Sequence, residues 1–280
     1  MADPMEDNTN LLYQLHSALI ALIAGLVINS FIIGVNVTDW WKGRSVTPVD
    51  HIVTSLGIAR ICAQCVITVF LFVIKLLSSQ DLNVSFAIGA VYALFIYTNF
   101  WLTSLLSIVF CLKISNFHSR LFLYLRGMIV HRTVYFIAGS VLLSVLNCLM
   151  PILTAITDWF RVILFTSLYH HTRKMKMNEN VSINLETYYS AMKFVFFTFI
   201  YNTTYFFGHF ISIIYYYFYR VNINWHYIVL EFLPALHSSY LIYRTAKLRS
   251  QMAKGLQYVI HSFFQSKNAE TRENIDVVYT

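Results

Sequence analysis

Six long apolar runs constrain this chain more than any other feature. They cover Ser17–Val37, Ile52–Leu77, Phe86–Leu112, Thr133–Met150, Ala191–Tyr219 and Trp225–Tyr243, with a shorter and poorer run at Ile152–Tyr169. A helix needs roughly 20 apolar residues to cross the hydrocarbon layer of a bilayer. The composition, 58% hydrophobic and 12% charged, is too apolar for a water-soluble core of 280 residues. The runs lack the period-2 alternation and short turns of a membrane barrel, so their backbone amides must be satisfied within helices. The expected fold class is an all-α membrane protein with a bundle of seven transmembrane helices, the fifth span short or incomplete.

The charges orient the bundle. With the N-terminus outside, Lys42 and Arg44 fall in the first inner loop, and Lys113, Arg120, Arg126 and Arg132 in the second. Arg173, Lys174, Lys176 and Lys193 fall in or beside the third, and Arg244, Lys247, Arg249, Lys254, Lys267 and Arg272 in the tail. Sixteen of the twenty basic residues are then inside, as the positive-inside bias requires. This pattern turns the net charge of +7 toward anionic lipid headgroups rather than nucleic acid. Asp3, Glu6 and Asp7 precede the first run without a basic residue, so it reads as its own insertion signal rather than a cleavable leader. The expected organisation is an extracellular N-terminus over 1–16, a membrane domain over 17–246 and a cytoplasmic tail over 247–280.

Arg60 lies near the middle of the second run. A charge at that depth is costly and should face the bundle interior with a partner. Asn29 in the first run and His237, Ser238 and Ser239 in the last lie at comparable depth, which predicts an interhelical polar network of Asn29, Arg60, His237 and Ser238. Such a network serves equally as static glue or as a conformational switch.

The sequence offers no catalytic constellation, metal-ligand set or cofactor motif. Cys62 and Cys65 fall inside a span and read as small core residues, and His170 and His171 as interfacial side chains. Glu231 and Asp158 are the intramembrane acids, too few for a proton- or ion-coupled transporter. Tyr92, Asn99, Tyr205 and Tyr227 lie on a polar-aromatic face that serves equally for helix packing or for a small organic ligand.

Several ordered stretches resemble the type 2 taste receptor family of G-protein-coupled receptors. They are Ile28-Asn29-Ser30-Phe31-Ile32, Val49 to Ile61 with its Arg60, Phe100-Trp101-Leu102 with Leu106 to Phe117, Ser167 to Met175, and His237 to Ile242 followed by Lys247-Leu248-Arg249. Vomeronasal type 1 receptors share the layout but fit these motifs worse. The resemblance implies a plasma-membrane receptor for bitter small molecules coupled to a gustducin-like G protein. It places ligand-binding positions at Tyr92, Ile96, Tyr205 and Tyr227, beside Asn99. It puts the G-protein face at Lys113, Asn116, His171 and Lys174.

One departure stands out. The family has a long, glycosylated second outer loop before its fifth span, whereas nineteen residues separate Met150 from His170 here. After Pro151 the remaining eighteen reach ~27 Å as a helix, against ~30 Å of hydrocarbon. A working receptor that has lost the loop, a splice form or incomplete gene model, and a non-signalling relic all accommodate this. Of the N-x-S/T sequons, Asn83 falls in the first outer loop and is the expected glycosylation site. Those at Asn36 and Asn180 face the cytoplasm, and that at Asn202 lies in a span.

Overall fold

The computed structural model describes residues 4–76, 82–114, 120–149, 192–205, 207–208, 211 and 224–278. The regular structure among them is helical: α1 (Pro4–Trp41), α2 (Pro48–Leu76), α3 (Leu82–Ile114), α4 (Arg120–Leu149), α5 (192–205), α6 (Asn224–Arg244) and α7 (Ala246–Val278). Three stretches within these helices, His16–Trp41, Pro48–Phe70 and Ala87–Phe110, are long and apolar enough to cross a membrane. The poor run at Ile152–Tyr169, with Asp158 and Arg161, lies outside the described residues.

Local sequence sets the helix ends. Gly43 terminates α1 at a φ of +66°, with Gly43 N donating to Trp40 O at 3.1 Å and Arg44 N to Asp39 O at 3.0 Å. This is a Schellman motif, in which glycine takes the left-handed position at no steric cost. Asp39 also pairs with Arg44 at 2.8 Å. Trp40 and Trp41 project outward beside this turn, as amphipathic rings do at a headgroup boundary. Thr47 then caps α2: Asp50 N donates to its hydroxyl, and Thr47 N donates to the Asp50 carboxylate at 2.9 Å. Pro48 occupies the first helical position, where its missing N–H is no loss.

The chain divides into two compact units, Met1–Ser238 and Ser239–Thr280. In the first, α2 packs against α1, α3 and α4, and α3 packs against α4. Ile32, Ile52, Leu56, Leu102 and Leu106 are buried between them. Polar side chains join this core. Asn36 is buried and donates to Thr54 Oγ1 at 3.0 Å, which ties α1 to α2. Thr98, Thr103, Ser107, Thr133, Ser140 and Ser144 each donate to the carbonyl four residues back, so their hydroxyls are satisfied within their own helices. In α4 the backbone leaves helical geometry at Arg132 (φ −125°, ψ 26°), directly before the expected span at Thr133, so the basic segment preceding that span is itself helical.

In the second unit the hydrogen-bond ladder continues through Thr245 between α6 and α7, since Thr245 N donates to Leu241 O and Arg249 N to Thr245 O, both at 2.9 Å. Along α7, Leu256, Val259, Ile260 and Phe264 are exposed on a helix that also carries Lys247, Arg249 and Lys254.

The helix that carries the first apolar run begins at Pro4, about a dozen residues before the run itself. One expectation needs correction. Cys65 is exposed and Cys62 only partly covered, so this pair is not core. The buried face of α2 is set by Arg60, Gln64 and Thr68, and position 65 lies about 100° round the helix from Gln64.

Candidate functional site: a polar seam between α1, α2, α3, α5 and α6

Helical periodicity aligns the polar residues of each element on one face. On α1 these are Gly25, Asn29 and Asn36; on α2, Arg60, Gln64 and Thr68; on α5, Thr198, Tyr201 and Tyr205; on α6, Glu231 and Ser238. Arg60, Asn29, His237 and Ser238 are each at most 1% exposed.

Arg60 is the hub. Its Nη1 donates to Ser238 Oγ at 2.6 Å, and Ser238 donates onward to Asn29 Oδ1 at 2.7 Å. Asn29 Nδ2 donates to the Gly25 carbonyl at 2.8 Å, closing that branch. In the other branch, Arg60 Nη2 lies 2.8 Å from His237 Nδ1. A guanidinium has only donors, so Nδ1 accepts. In the neutral ring the proton is therefore on Nε2, which donates to Thr198 Oγ1 at 3.3 Å. The tautomer follows from the network rather than from a visible hydrogen. The guanidinium carbon also sits 5.6 Å from the centroid of the Tyr201 ring, a cation–π distance. Tyr201 in turn stacks on Tyr205 at 5.7 Å and lies 4.4 Å from the His237 ring.

None of these partners is an acid. Among the described residues the one ion pair is Arg44–Asp39, so Arg60 is held by neutral acceptors and aromatic faces. Its Nε has no hydrogen-bond partner there.

A second polar level lies seven residues along α6 from Ser238, about 10 Å by helical rise. There Tyr92 OH donates to Glu231 Oε1 at 2.6 Å, which links α3 to α6. Gln64 Nε2 donates to the Glu231 backbone carbonyl at 3.3 Å. Pro234 lies in the same turn and cannot donate to Leu230 O, the carbonyl one residue before that of Glu231. Gly25 makes room for Gln64, since a methyl group there would overlap the Gln64 amide.

The structure thus brings Asn29, Arg60, His237 and Ser238 into one connected group, with Tyr92 and Tyr205 along the same seam. Ile96, one turn from Tyr92, is half-buried. Asn99 is buried, and neither atom of its amide has a hydrogen-bond partner among the described residues. Tyr227, Lys113 and Asn83 lie in α6, α3 and α3, with side chains outside the described set, and Asn116, His171 and Lys174 are outside the described residues altogether. Sequence reasoning named Glu231 as an intramembrane acid without placing it in the site, and missed Gln64, Thr198 and Tyr201. A signal for Glu231 was available: it is an acid two helical turns from Ser238 and on the same face.

A family model described as Taste receptor protein (TAS2R) matches this chain in two stretches, residues 5–162 and 149–260. The chain belongs to the taste receptor family. Taste receptor type 2 member 9 of Papio hamadryas is 39% identical over 127 residues, covering 45% of this chain and 41% of the relative. Taste receptor type 2 member 16 of Homo sapiens is 32% identical over 165 residues, covering 59% and 53%. Taste receptor type 2 member 110 of Mus musculus is 33% identical over 134 residues, covering 46% and 40%. The chain thus spans about half the length of the curated relatives it matches. With the apolar helices, the family makes this a multi-pass membrane protein. The two matched stretches of this taste receptor chain overlap at residues 149–162.

Proposed function

We propose that this chain is a G-protein-coupled receptor of the plasma membrane that senses bitter small molecules and activates a gustducin-like G protein. The observation that carries the reading is the Arg60 hub, which joins α1, α2, α5 and α6 through neutral partners. Neutral hydrogen bonds to a guanidinium can be exchanged without separating opposite charges in a low dielectric, which suits a two-state element better than a buried ion pair.

In this reading the N-terminus is outside and seven helices span the bilayer, the fifth being the short segment before His170. An agonist docks among Tyr92, Ile96, Asn99, Tyr205 and Tyr227. It binds the active arrangement more tightly and shifts the population toward it. Tyr205 stacks on Tyr201, whose ring lies against His237 and Arg60, so an aromatic contact at Tyr205 reaches the hub through one ring. Lys113, Asn116, His171 and Lys174 face the G protein, and Asn83 carries a glycan. The basic, partly apolar α7 lies against anionic lipid as a cytoplasmic tail.

Calcium imaging of cells expressing the chain with a promiscuous taste G protein, over a panel of bitter compounds, tests the reading. A concentration-dependent rise for some of the panel is expected. Silence across the panel at verified surface expression overturns it. The two-part family match favours one second reading, a non-signalling product of a shortened gene or transcript, which such silence supports.

A further inference from the structure

We propose that Glu231 forms a subsite for an ammonium group on the agonist, so that this receptor favours protonated amines over neutral compounds of the same shape. The inference rests on the receptor reading above and adds a ligand class to it.

Glu231 is 5% exposed and sits at the junction of α2, α3 and α6. Its Oε1 is occupied by the Tyr92 hydroxyl, while Oε2 has no hydrogen-bond partner among the described residues. Gln64, whose amide nitrogen reaches the Glu231 backbone carbonyl, has the same deficit at Oε1. Glu231 thus presents a buried carboxylate oxygen with no donor assigned to it, beside a second residue with an unpaired acceptor. The nearest strong donor, Arg60, is engaged by Ser238 and His237 two helical turns away, and no ion pair joins it to Glu231.

The chemistry missing from this point is a donor carrying positive charge. An ammonium supplies such N–H groups, and its bonds to a carboxylate are charge-assisted. An anion is repelled, and a neutral apolar group leaves Glu231 Oε2 buried and unpaired. Tyr92 ties the subsite to the proposed pocket, because the residue expected to touch ligand is the one that holds the carboxylate.

The test uses the full chain in lipid nanodiscs, with phenethylamine and phenethyl alcohol as probes and ligand-induced thermal stabilisation as readout. The two probes share a skeleton and differ in the ammonium. The wild-type chain is expected to bind phenethylamine about tenfold more tightly than the alcohol, as expected for one charge-assisted bond. Glu231→Gln removes that preference, while Glu231→Asp retains a reduced preference. Equal affinities in the wild type, or a preference that survives in Glu231→Gln, overturn the proposal. The wild-type comparison alone decides the matter if the variants do not fold. No G protein is involved, so a chain that prefers the ammonium but never signals contradicts the receptor reading and leaves the subsite standing. One that signals to neutral bitter compounds without ammonium preference does the reverse.

Discussion

Arg60 donates to Nδ1 of His237 at 2.8 Å, and this bond fixes both the tautomer of the imidazole and the direction of the chain that runs on to Thr198. A charged side chain buried in a helix bundle is thereby held by a neutral ring. The two residues should behave as a unit in a double-mutant cycle. His237→Ala and Arg60→Met are each expected to lower thermal stability. Their combination should cost less than the sum, with a coupling of about 1–3 kcal/mol. Melting of the purified variants in nanodiscs measures it, and additive losses contradict the pairing.

Gly25 and Gln64 provide a steric test. A Cβ at position 25 meets the Gln64 amide, which is 1% exposed and has little freedom to withdraw. Gly25→Ala is expected to destabilise by about 1–3 kcal/mol through overpacking. Adding Gln64→Ala to it should recover part of that loss, an outcome that thermal melting reads directly.

The sequons separate cleanly. Asn36 is buried and donates to Thr54, and Asn202 is buried as well, so neither is open to a glycosyltransferase. Endoglycosidase treatment is expected to shift the electrophoretic mobility of the wild type and of Asn36→Gln. Asn83→Gln should run at the deglycosylated position throughout. A wild type that does not shift contradicts the proposed outer location of Asn83.

Tyr205→Ala is expected to weaken responses to most agonists by about tenfold or more, by removing a ring that stacks on Tyr201 and so reaches His237. Tyr92→Phe keeps the ring and loses the hydroxyl that holds Glu231. It should mainly alter the ranking among agonists. Concentration–response curves at matched surface expression separate the two effects.

Much of this seam was legible in the sequence. Arg60 is a charge inside an apolar run, and the need for partners at equal depth led to Asn29, His237 and Ser238. The rest was hidden for a physical reason. In water a buried face contrasts with a polar one, but in lipid the outer face is also apolar, so the helical period carries little contrast. Gln64 and Thr198, polar residues within apolar stretches, were therefore not singled out. Cys65 was read as a core residue for the same reason, although it is exposed. The early start of α1 was hidden for the complementary reason, since span length is set by hydrocarbon thickness and helix length is not.

Nucleotide exchange is the most direct measurement of the central claim. Membranes containing the full chain are mixed with a purified gustducin-like heterotrimer and a bitter agonist drawn from the panel, and guanine nucleotide uptake by the G protein is followed. The account predicts agonist-dependent acceleration that is strongly reduced in Tyr205→Ala at equal receptor density. Exchange that stays at the basal rate for every agonist, with the chain shown to be at the surface, would contradict it.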